Sequence, residues 1–140
     1  METSNTENKD LIIANDMLKD KNYYCSVDVK DAKNQTMLFN ALEGCDELIS
    51  KEIDKTIKLK DVYMEQYVKD KDGRKTVAIR TILFDDEGKS HVSTAFGIAN
   101  SVQRLIRVFG DPSTWDGPKS VKFIERPLKD GKKSFVLNLV

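Results

Sequence analysis

A chain of 140 residues suits one domain with an extension: it is long enough for a real core and too short for two. With 39% apolar and 33% charged residues it predicts a small core under a heavily solvated surface, and a formal net charge of zero argues against a histone-like polycation. The charge is uneven, however: residues 1–55 hold 7 Lys/Arg against 12 Asp/Glu, and residues 56–140 hold 16 against 11, so an acidic leader precedes a basic body.

Met1–Asp10 is polar and reads as disordered, lacking the basic start and apolar run of a secretory signal. Leu11–Lys21 gathers Leu11, Ile12, Ile13, Ala14, Met17 and Leu18, about two turns of helix, too short to stand alone. Docking on the body and an oligomer contact through the N-terminal extension are both open readings of this segment. Tyr23–Lys30 alternates as a short strand, and Gln35–Leu42 reads as a second, anchored by Leu38 and Phe39. Glu43–Lys55 is acidic and irregular, with room for one helical turn around Leu48 and Ile49.

Thr56–Val68 is a long strand. Ile57 and Leu59 share one parity and Val62 and Met64 the other, so a bulge is expected at Lys60–Asp61, leaving Tyr63, Glu65 and Tyr67 outward. Lys69–Lys75 is a glycine-containing turn. In Thr76–Phe84, Val77, Ile79 and Leu83 point inward and Ala78, Arg80 and Ile82 outward. The Asp85–Lys89 hairpin turn leads to a third strand, Ser90–Phe96. Asn100–Phe109 is helical, with Val102, Leu105, Ile106 and Phe109 at i, i+3, i+4 and i+7, Asn100 or Ser101 as cap and Gly110 past the end. After a loop holding Trp115, either a lid or a nucleic-acid contact, Ser120–Arg126 and Ser134–Val140 are the last strands, joined by Pro127–Lys133. Phe84, Phe96, Phe123 and Phe135 are expected in the core.

Strand-strand-strand-helix-strand-strand is the plan of a five-stranded oligonucleotide-binding (OB) barrel, all-β with one helix. The expected division is an acidic extension over residues 1–34 and an OB domain over residues 35–140. Two cysteines, Cys25 and Cys45, and one histidine fall short of a four-ligand zinc site and read as reduced, half-buried thiols beside a lone imidazole. Asp70-Lys71-Asp72-Gly73 fails as a calcium loop, because glycine falls at position 4 and Thr81 at position 12. No nucleophile–base pair or phosphate-cradling loop is visible, so no catalytic residue, metal or cofactor is assigned. No stretch is apolar enough to span a bilayer, which points to a soluble, intracellular protein.

Single-strand binding asks for cations spaced along a groove and flat rings on which bases stack. In an OB barrel that groove crosses the outer face of the second and third strands. Its flanking loops would supply Lys69, Lys71, Arg74 and Lys75, and Lys129, Lys132 and Lys133, both at one end of the barrel. Outward parity adds Tyr63, Tyr67, Arg80 and His91, with Lys122 and Arg126 from the fourth strand. Lysine-rich turns also serve solubility alone, and the two tyrosines would equally cover the N-terminal segment.

Four stretches resemble the single-stranded DNA-binding proteins of phi29-type bacteriophages. They are Gln35-Thr36-Met37-Leu38-Phe39-Asn40-Ala41, Gln66-Tyr67, Ile82-Leu83-Phe84 through Gly88, and Phe135-Val136-Leu137-Asn138-Leu139. The resemblance spans residues 35–140. It implies an OB fold, cooperative coating of displaced strands in viral replication, contact with the viral DNA polymerase and a place in the host cytoplasm. One of the family's binding tyrosines falls on Tyr67 and another where this chain has His91. The aromatic expected in the loop after the first strand is missing from Lys69-Asp70-Lys71-Asp72-Gly73, which shifts weight to charge or to Tyr63. Other readings are an OB adaptor making protein contacts through its acidic leader, and a binder of single-stranded RNA.

Overall fold

The computed structural model describes residues 22–140; the helix expected over Leu11–Lys21 lies outside them. The elements are β1 (Tyr23–Cys25), α1 (Ala32–Glu43), β2 (Glu47–Leu48), β3 (Thr56–Lys71), β4 (Arg74–Asp85), β5 (Ser90–Ser93), α2 (Phe96–Phe109), β6 (Lys119–Pro127) and β7 (Lys133–Leu139). The strands form one sheet in the order β2-β5-β4-β3-β6-β7, with β1 also paired to β3. All pairings are antiparallel except that of β2 with β5. The expected succession after residue 55, three strands, a helix and two strands, is present; β1 and β2 are additional.

The stretch expected as a second strand is the helix α1. Met37, Leu38, Ala41 and Leu42 recur at helical spacing, whereas the alternate set Met37, Phe39, Ala41 offers a strand no polar face. Asp31 starts the helix, its side chain accepting from the Lys33 N–H at 2.9 Å. α2 begins at Phe96, a turn before the expected Asn100, because Ile98 and Ala99 are buried and extend the apolar stripe backwards through Val102 and Leu105. β5 is correspondingly short, and Phe96, expected in the core, is half exposed. Gly110 closes α2 at φ 86°, which a glycine adopts without strain. The single helical turn expected near Ile49 is a 3-10 turn over Ile49–Lys51.

The bulge expected at Lys60–Asp61 lies there: the β3–β4 register shifts between Leu59 and Asp61. It lets Ile57 and Leu59 before it, and Val62 and Met64 after it, enter the same core. That core lies inside the curl of the sheet, where Ile79, Leu83, Val121 and Phe123 meet Ile98, Ala99, Val102 and Leu105 of α2. Each of the Val, Leu, Ile and Phe side chains, once buried, contributes about 1.5–3 kcal/mol. A second, smaller core on the outer face joins Tyr63, Ile82 and Phe84 to Val27 and to Met37, Leu38, Ala41 and Leu42 of α1. β1 and α1 thus pack on the same sheet as everything that follows.

Among the described residues no ladder joins β5 to β7, so the sheet is curled without closing on itself. The first turns of α2 lie along β7 instead. Ser101 Oγ accepts from the Leu137 N–H at 3.1 Å, and a Cβ on Gly97 would fall 2.2 Å from the Phe135 carbonyl oxygen. Cys25 and Cys45 are free and half-buried.

Candidate nucleic-acid interface

Register decides which side chains share a surface, because directly paired residues of an antiparallel ladder point to the same face. Tyr63 pairs with Ile82, Glu65 with Arg80, Tyr67 with Ala78, Lys69 with Thr76 and Lys71 with Arg74. All ten therefore lie on the outer face. Asp70 pairs with Lys75, and both point the other way, so Lys75 does not join Lys69, Lys71 and Arg74. The Asp72-Gly73 turn, with φ of 55° and 75°, is the two-residue loop that lets β3 and β4 continue as a ribbon to its tip.

Along that face the environment changes abruptly. Tyr63 is 7% exposed under α1; its hydroxyl donates to Glu65 Oε1 at 2.8 Å and its ring stacks on Tyr23 at 5.7 Å. Burial, then the neighbouring Glu65 carboxylate, push its phenol far above its ordinary range. As a free stacking platform Tyr63 is lost, because α1 covers it. Arg80, half-buried at the margin of the helix, donates to the Leu42 carbonyl at 3.2 Å and to Glu65 Oε1 at 3.3 Å. Beyond this ion pair exposure rises along the ribbon, and Lys69, Lys71, Arg74 and Thr76 are exposed. Tyr67 is half-buried beside the small Ala78, and Lys69, Lys71, Asp72, Arg74 and Thr76 line an open hollow at the ribbon tip.

His91 points to the opposite face. It is 2% exposed, with Nδ1 2.7 Å from Glu52 Oε1, Nε2 3.0 Å from Asp85 Oδ2, and its ring tilted against Phe123. It pairs with Leu83, on the inner side of β4, so no surface of the ring is left for a base. Its two nitrogens face different carboxylates, so the three groups do not converge on one point. Among the described residues no group of three or more His, Cys, Asp or Glu is arranged to hold a metal.

The second basic turn lies elsewhere. Thr56 pairs with Lys122 and Leu59 with Lys119, so β6 runs back past the start of β3 before it turns at Leu128–Lys132. The two lysine-rich turns, expected at one end, stand at opposite ends of the β3 ladder. α1 lies across the outer face between them. Lys122, half exposed, and Arg126, exposed, alternate with the buried Val121 and Phe123 on the outer side of β6. Lys129 and Lys132 are exposed, and Lys133 pairs with Glu125 at 3.4 Å. Trp115 is a lid: it packs on the inner core, its indole N–H donates to the Gly110 carbonyl at 2.9 Å, and Lys119 sits over its ring and that of Phe109.

The structure therefore brings together Tyr67, Lys69, Lys71, Arg74 and Arg80. It sets Lys122, Arg126, Lys129, Lys132 and Lys133 apart from them, and withdraws Tyr63 and His91. One aromatic that sequence reading assigned to a strand, Phe39, is 61% exposed on α1. The helical spacing of its apolar neighbours was the signal that it sits on an outer flank.

A cationic β-ribbon with a partly exposed aromatic ring beside it is the kind of surface on which proteins hold single-stranded nucleic acid. A family model described as phage single-stranded DNA-binding protein matches residues 17–140. The chain belongs to that family, the phi29-type phage single-stranded DNA-binding proteins. Searches of curated proteins and of solved structures returned no match. No helix among the described residues is long and apolar enough to cross a membrane.

Proposed function

We propose that this protein coats single-stranded DNA without sequence preference during viral DNA replication, as a binding protein and not an enzyme. The observation that carries the reading is the cationic outer face of the β3–β4 ribbon, where Tyr67 adjoins the exposed Lys69, Lys71 and Arg74. Cations there meet phosphates and the ring meets a base, and neither contact reads base edges. The spatial order β5-β4-β3-β6-β7, with α2 between β5 and β6 in the chain, supports the reading of an OB-like barrel. In this reading Lys122, Arg126, Lys129, Lys132 and Lys133 meet a longer strand that passes around α1, and Lys75 adds to the field at the tip. Cooperative coating in the host cytoplasm, contact with the viral polymerase and self-association through residues 1–34 belong to the same proposal.

The test is an anisotropy titration of labelled oligothymidine at two salt concentrations. Binding is expected at low salt and should weaken steeply as salt rises, because counterions released from the strand drive it. No binding at low salt would overturn the reading.

A further inference from the structure

We infer that Phe39 is a base-stacking residue on the flank of α1 that faces Tyr67; this rests on the reading that the ribbon face takes single-stranded DNA. Exposed apolar side chains are common, so exposure alone assigns nothing. The position of this one does.

Contacts at its two ends lay α1 across the strands. Near its start, Gln35 Nε2 donates to the Val29 carbonyl at 2.6 Å and Asn34 Nδ2 to the Asp28 carbonyl at 3.1 Å, on the β1 side of the sheet. Just past its end, the Asp46 N–H donates to Ser90 Oγ at 3.0 Å, on the β5 side. A helix so placed has one flank toward the β4–β5 turn and one toward the ribbon.

Met37 marks the first flank, since a Cβ on Gly88 in that turn would lie 3.4 Å from its sulfur. At ~100° per residue, Phe39 is rotated roughly 200° from Met37 and leaves the opposite side. Leu42, on that opposite side, identifies it: its carbonyl accepts from Arg80, whose next outward neighbours are Tyr67 and Ala78. Phe39 is therefore on the ribbon-facing flank, one turn before Leu42.

The helix, with its side chains ~10 Å thick, makes a step above the sheet. At the foot of the step are Arg80 and Tyr67, and beyond them Lys69, Lys71 and Arg74. A strand whose phosphates follow those cations passes the foot of the wall, and a base turned toward the helix meets the Phe39 ring. Tyr67, half-buried beside the small Ala78, offers the exposed part of its ring to another.

Phe39→Ala and Phe39→Trp, made in the full chain, test this with labelled oligothymidine and a melting curve for each variant. Phe39 is exposed, so both variants should fold like wild type. Phe39→Ala should bind roughly 5- to 150-fold more weakly, the worth of one stacked base, with the same salt slope because no phosphate contact is lost. Phe39→Trp should restore binding and show indole quenching beyond the Trp115 signal of wild type. Unchanged affinity in Phe39→Ala overturns the assignment. So does a loss seen only on long strands that hold several copies, which would place the ring against a neighbouring protein. Failure of wild type itself to bind would overturn the function beneath it.

Discussion

Tyr63 and Tyr67 are two steps apart on one strand and face the same way, yet one is buried and the other only half-buried. The difference is that α1 packs over Tyr63. Tyr67→Ala should weaken oligothymidine binding by about 1–3 kcal/mol while leaving the salt slope unchanged, because a ring carries no counterion. Parallel titrations of Lys71→Ala, where the slope should fall by about 0.7, make the contrast measurable. A Tyr67→Ala protein with a changed slope would mean that the variant disturbs the cations beside it.

Asp85 is the residue on which pH should act. Burial pushes its carboxyl up, but the hydrogen bond from His91 and the N–H groups of Lys89 and Glu87, both at 3.0 Å, outweigh that and hold it below its ordinary value. A carboxylate more acidic in the folded chain adds stability that is complete above its unfolded value and is lost as pH falls through the lower folded one. Asp85→Asn should therefore lower the melting temperature at pH 7. The gap to wild type should begin to shrink as pH falls below about 4, the ordinary carboxylate range, and close only below the lower folded value, where the native carboxyl takes up its proton. A gap that persists undiminished at pH 2 would show that the turn depends on shape and not on charge.

At the scale of elements, the contact between α2 and β7 substitutes for a missing ladder. Gly97 permits it, since a methyl group there would meet the Phe135 carbonyl oxygen at 2.2 Å and Ser134 Oγ at 2.4 Å. Backbone on one side leaves no flexible atom to yield. Gly97→Ala should destabilise the fold by about 1–3 kcal/mol or more, read as a lower urea midpoint with an unchanged slope. If the midpoint holds, α2 is free to slide along β7 and the seam is not tightly packed.

α1 teaches the reverse lesson about elements. The Leu38-Phe39 pair looks like a strand anchor when read alone, and Met37, Leu38, Ala41 and Leu42 look helical when read as a set. β3 and β4 were legible in their bulge and their facing, because alternation over many residues leaves few registers that bury the apolar set, but the expected turn over Lys69–Lys75 is strand up to Lys71 and again from Arg74. α2 was legible apart from its first turn, which has no side-chain cap to announce it.

For the whole molecule, the uneven charge predicts a field concentrated on the body, and the register splits that field between two ends of the sheet. A short oligothymidine that reaches only one end should lose affinity on combined Lys69→Glu, Lys71→Glu and Arg74→Glu substitution, with the salt slope reduced by about 2. Lys129→Glu with Lys132→Glu should leave the short oligomer unaffected and weaken only a longer one. Equal losses on both lengths would mean that the two turns grip the same stretch of strand.

Local periodicity, turn residues and charge were determined by the sequence alone, since they follow from backbone geometry that each segment carries with it: the β3–β4 ribbon, the apolar stripe of α2, the basic turns. Tertiary structure alone decided which of the outward positions remain on the surface. α1, arriving from earlier in the chain, covers Tyr63 and half of Arg80; β5 turns His91 in between Glu52 and Asp85; and β6, running back past the start of β3, carries its basic turn to the far end. Whether a side chain is buried depends on what packs against it from elsewhere, and no pattern within its own strand contains that information.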